Sequence, residues 1–112
     1  MRFDRFTYKA QEAIEEAIAI ARAQANQRLE PAHLLLALLK QKDGITRLIF
    51  EKIGAPINLL QKSVDAIIAA KPKVETEKVE VYLSDELNRL FKIADREVSF
   101  LKDEYVSTEH LL

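Results

Sequence analysis

The chain has 112 residues, 48% of them hydrophobic and 31% charged, with a net charge of −1. That length supports one modest domain, and the interleaving of the two signs leaves no basic stripe of the kind a phosphate backbone requires, so nucleic acid is excluded as a partner. There are no cysteines, only two glycines and three prolines. Disulfide and thiolate chemistry are thereby ruled out and helices favoured, and no stretch approaches the roughly 20 apolar residues of a membrane span. The start, MRFDRF, carries charges where a signal peptide needs its apolar region, so a cytoplasmic location without membrane contact is expected.

From Thr7 to about Ala25 the apolar residues recur with helical period. Thr7 is the expected N-cap, and the buried stripe is mostly alanine (Ala10, Ala13, Ala17, Ala21), which places this helix at the centre of the fold. Pro31 marks the first turn of a second helix, 31–40, whose LLLALL run is buried on more than one side. A third helix over 45–53 ends at Gly54, which takes the left-handed conformation cheaply. Pro56 opens a fourth that runs to about residue 70.

KPKVETEKVEV, 71–81, is charged and lacks helical period, and reads as a linker. Ser84 then caps a fifth helix over 84–101, with Asp85 and Glu86 in its first turn and a core stripe of Leu87, Leu90, Phe91, Ala94, Val98 and Leu101.

EPAHLL at 30–35 and STEHLL at 107–112 place His33 and His110 77 residues apart. The same offset pairs Thr7 with Ser84, Ala10 with Leu87, Ala13 with Leu90, Ile14 with Phe91, Ala17 with Ala94 and Ala21 with Val98. An internal repeat of this kind predicts an all-α, pseudo-twofold fold of a four-helix unit, with the first and fifth helices as equivalent partners. The first unit occupies 1–70, 71–81 links, and 82–112 is the start of a second, truncated unit, which would run to about residue 150 if it were as long as the first. A sixth helix is expected to begin near Ser107.

The two histidines lack the third and fourth ligands of a metal site, and a structural role is expected of them. No phosphate-binding glycine loop or nucleophile elbow is present, so the chain reads as a binding module rather than an enzyme, with no cofactor of its own. The fifth helix carries a second apolar line, Ile93 and Phe100, whose first-unit equivalents are Glu16 and Ala23. It is either packing surface or an apolar groove for exposed peptide segments. Thr7, Asp103 and Glu109 stand at or just before helix starts, where short loops would bring them to one end of the bundle.

MRFDRFTYKAQEAIEEA, LEPAHLLLALL and KDEYVSTEHLL resemble the N-terminal domain of Clp-type AAA+ unfoldases, in particular the protein disaggregases, over essentially the whole chain. The resemblance implies an eight-helix domain on a flexible tether that captures unfolded or aggregated polypeptide and hands it to a ring of six ATPase subunits. ATP and Mg belong to those AAA+ modules, and an Hsp70-type chaperone to the parent's middle domain; an adaptor protein is a further candidate partner. Polypeptide contacts are implied at Thr7, Asp103 and Glu109, with Tyr8 beside them, and an apolar groove at Leu83, Phe91 and Ile93, which the apolar line through Phe100 would extend. Relatives that hold phosphorylated arginine carry T-E-H in both units, whereas Pro31-Ala32-His33 stands in the first unit here, which favours the disaggregase branch.

Overall fold

The computed structural model describes residues 6–41, 44–75, 79–100 and 111–112, with 97–100 described as helical backbone only. Five helices form where the periodicity places them: α1 (Tyr8–Ala23), α2 (Pro31–Lys40), α3 (Ile45–Lys52), α4 (Ile57–Ala69) and α5 (Asp85–Phe100). The expected sixth helix falls outside the described residues except at Leu111, which is helical.

Capping chemistry repeats with the sequence. Thr7 Oγ1 accepts the Ala10 N–H at 3.2 Å and Ser84 Oγ accepts the Leu87 N–H at 3.1 Å, so the pair related by the 77-residue offset does the same work at the same helix position. Below the caps, Ala10, Ala13, Ile14 and Ala17 of α1 and Leu87, Phe91 and Ala94 of α5 are buried. Both helices pack on α2, and Phe6, two residues before α1, sets its ring edge-to-face on Phe91 of α5, with centroids 5.6 Å apart and planes at 79°.

The helix at the centre is α2 and not α1, as the alanine stripe had suggested. α2 packs against α1, α3, α4 and α5 and buries His33, Leu34, Leu36, Ala37, Leu38 and Leu39. Its lack of a charged face allows this, whereas Glu12, Glu15 and Glu16 keep one side of α1 in water. The alanines still act as expected in bringing α1 close to α2. At the far end of α2, Arg47 Nη1 donates to the Leu39 carbonyl at 3.2 Å, closing one of the free carbonyls of the last turn.

Two helices end in the same motif. After α3, the Ala55 N–H reaches back to Phe50 O at 2.9 Å and the Gly54 N–H to Glu51 O at 3.1 Å, with Gly54 at φ 75°. After α1, the Asn26 N–H reaches Ala21 O at 2.8 Å and the Ala25 N–H reaches Arg22 O at 3.1 Å. Here the left-handed residue is Ala25, at φ 55°, which bears a Cβ where glycine is preferred.

The segment read as a linker is tied down along the α1–α2 turn through residues 71–74. It leads into β2 (Tyr82–Leu83), which pairs in parallel with β1 (Arg28–Leu29), Arg28 opposite Tyr82 and Leu29 opposite Leu83. This pairing has no signature in the sequence, because two-residue strands carry no period. Phe6, the offset equivalent of Leu83, also forms a β-bridge, a second sign of the pseudo-twofold relation.

Candidate functional site

α1 begins with an exposed step. Thr7 is half-buried and its hydroxyl is engaged in the cap, while Tyr8, the first helical residue, is 86% exposed. The approach to this step is fixed by the Gln11 side-chain amide, which donates to Phe6 O at 2.8 Å.

On α5 the expected apolar contacts separate. Phe91 is fully buried against Phe6 and offers no surface to a partner, so the core-stripe reading of this residue holds and its place in an open groove does not. Ile93, two positions on, lies about 200° round the helix and is 56% exposed. Phe91 and Ile93 therefore cannot line one groove from a single straight helix. Leu83 is half-buried in β2 and packs on the core beside Leu29. The side chain of Phe100, and Asp103 and Glu109 altogether, lie outside the described residues.

Sequence reasoning missed the clefts, two of which bear on the site. One is an apolar groove of about 230 Å³ between α2 and α5, floored by Pro31, Leu34, Leu35, Leu38, Leu90 and Leu111. Its signal was the breadth of the LLLALL run, which covers more of the helix than any single neighbour needs. The other is a cleft of about 410 Å³ on the α1–α2 turn, bounded by Asn26, Arg28, Glu30, Lys71, Pro72 and Val74.

Behind that cleft His33 is fully buried, and its hydrogen bonds are those of the uncharged ring. Its Nδ1 accepts the Glu30 N–H at 2.9 Å, the place a glutamate takes in a capping box, which leaves the proton on Nε2 to meet Asn26 Oδ1 at 3.1 Å. Burial first, and then the nearby Lys71 ammonium, push its pKa below the ordinary 6.5, against the opposing pull of Glu30. A histidine so engaged has no lone pair for a metal, and no group of metal-ligating side chains occurs among the described residues.

A repeated capped-helix unit with a short parallel strand pair at its seam defines the class to which the molecule belongs. The Clp repeat (R) N-terminal domain family matches residues 5–112, and the chain belongs to it. The chaperone protein ClpB of Bacteroides thetaiotaomicron is 38% identical over 112 residues, covering all of this chain and 13% of that relative. The N-terminal domain of the ClpV1 ATPase from the E. coli EAEC Sci1 type VI system superposes with a TM-score of 0.88 at 23% identity, over 97% of this chain and 66% of that one. A structure described as a peptide from the EAEC T6SS Sci1 SciI protein gives 0.89 at 23% identity, over 97% and 68%. The all-α reading and the resemblance both hold, and the chain spans about one eighth of the length of the curated relative it matches.

Proposed function

We propose that this chain is the non-catalytic recruiting domain of an ATP-dependent protein disaggregase, binding unfolded or aggregated polypeptide for delivery to an AAA+ ring. The observation that carries the reading is the placement of Tyr8 and Ile93. Each is a large apolar side chain held in water on the first helix of its unit, and neither is needed by the core. Unfolded chains differ from folded ones in displaying apolar side chains, so a surface that keeps its own in solvent is matched to them. The fold's relatives include chaperones, and a similar fold occurs in a structure described by a peptide. The resemblance adds Asp103 and Glu109 as polar contacts.

The test uses the full-length protein and a permanently unfolded model polypeptide. Ile93→Glu combined with Tyr8→Ala is expected to weaken capture about tenfold, the scale of one good interface anchor, with the melting temperature unchanged. Glu109→Ala should act in the same direction. Undiminished capture by the double variant would overturn the reading.

A second reading, self-association or adaptor docking, is favoured by α4. Leu59, Ala66 and Ile67 are exposed on its outer side, with the C-cap Ala70 exposed beyond them. Under that reading Ile67→Glu lowers the associated mass and leaves polypeptide capture intact.

A further inference from the structure

Four successive residues after α4 hold the α1–α2 turn, through two ammonium groups, a carbonyl and a backbone N–H. Lys71 Nζ pairs with the Glu30 carboxylate. The Pro72 carbonyl accepts from Asn26 Nδ2 at 3.0 Å. Lys73 Nζ donates to the backbone and side-chain oxygens of Gln24, at 2.9 and 3.0 Å, and the Val74 N–H donates to Ala25 O at 2.8 Å. Asn26, which faces both ways, is 2% exposed, and its other side-chain atom is held by His33. A continuous relay thus runs from the Glu30 amide through His33 and Asn26 to the Pro72 carbonyl.

We propose that this relay is a proton-operated latch: the segment joining α4 to β2 and α5 stays clasped to the α1–α2 turn while His33 is neutral, and protonation of His33 releases the seam between the two halves of the fold.

The chemistry follows from the donor and acceptor inventory. Neutral imidazole has one acceptor and one donor, and both are in use. A second proton would lie on Nδ1 and point at the Glu30 N–H, donor against donor, inside a site that water does not reach. The ring must then turn or withdraw, and Asn26 loses the bond that orients its amide toward Pro72. The charged groups facing His33 are Glu30, from the cap of its own helix, and Lys71, from the clasp. The α1–α2 turn contributes the neutral Asn26. The one anion, the Glu30 carboxylate, is already paired with Lys71, whose own charge opposes an imidazolium.

Folding favours the uncharged ring, so the latch's contribution is complete above the unfolded histidine's 6.5 and is lost as pH falls toward the lowered folded value. Any opening that exposes His33 becomes more populated by up to about tenfold for each pH unit in that window. The clasp is the part with least to hold it otherwise, since Pro72 and Lys73 are exposed and Lys71 is only part-buried, while the α1 stripe is sealed in the core.

Hydrogen exchange read by mass spectrometry on the full-length native protein, at about pH 7.5 and about pH 5.0 with rates corrected for intrinsic exchange, tests this. The peptide containing Val74 and the one containing Tyr82 and Ser84 should lose about tenfold in protection on acidification, while the α1 core around Ala17 stays within about twofold. His33→Gln should abolish the difference between the two pH values. Protection at Val74 that ignores pH, or that falls in step with the α1 core, overturns the proposal, as does a folded His33→Gln protein that still releases the segment in acid. Should that variant not fold, the comparison of clasp with core in the native protein decides alone.

Discussion

α1 and α5 are the same helix built twice with opposite volumes. Both start from a hydroxyl cap that accepts the same N–H, and Ala10 and Leu87, at equivalent positions, are both fully buried. α1 fills its stripe with alanine and α5 with leucine and phenylalanine. α1 meets the crowded α2 along much more of its length than α5 does, and α5 contributes side-chain bulk instead. The outer faces differ in the other sense, Glu16 on α1 being exposed and charged where α5 exposes Ile93. A repeat thus constrains cap and period, which are local, and leaves volume and outer chemistry to the neighbours each copy meets.

The largest test of this contrast is removal of bulk from α5. Phe91→Ala should cost about 3 to 5 kcal/mol, since it leaves a cavity and strips the edge contact from Phe6. Equilibrium denaturation measures it, and a loss below about 1 kcal/mol would mean that α5 is not packed as described. Adding bulk to α1 comes next. Ala10→Leu gives α1 the side chain α5 carries at the equivalent site, and should destabilise by about 1 to 3 kcal/mol through overpacking against α2.

The caps should behave alike despite these differences. Thr7→Ala and Ser84→Ala are each expected to cost about 1 kcal/mol, and near-equality of the two in chemical denaturation would show that cap energetics ignore the volume of the stripe beneath. The smallest change should stabilise. Ala25→Gly relieves a left-handed residue at the end of α1 and should raise stability by about 0.5 to 1 kcal/mol, whereas Gly54→Ala should lower it by a similar amount. Thermal melts of the two variants moving in opposite directions would confirm that the motifs differ in their residue and not in their geometry.

The five helices, the hydroxyl caps of α1 and α5, the 77-residue repeat and the family were legible in the residues because they rest on local pattern: a hydroxyl at a helix start, a proline in a first turn, apolar residues every third or fourth position. What chain order alone left open was which surfaces meet. That α2 rather than α1 is the hub, that Phe91 turns inward on Phe6, and that Leu29 pairs with Leu83 across more than fifty residues are outcomes of how the elements fill one volume. The His33 relay is the sharpest case. A histidine with no ligand set around it could be assigned a structural role from sequence, but only folding brings Asn26 and Pro72 to it, because close packing and the need to satisfy every buried polar atom act between residues distant in the chain.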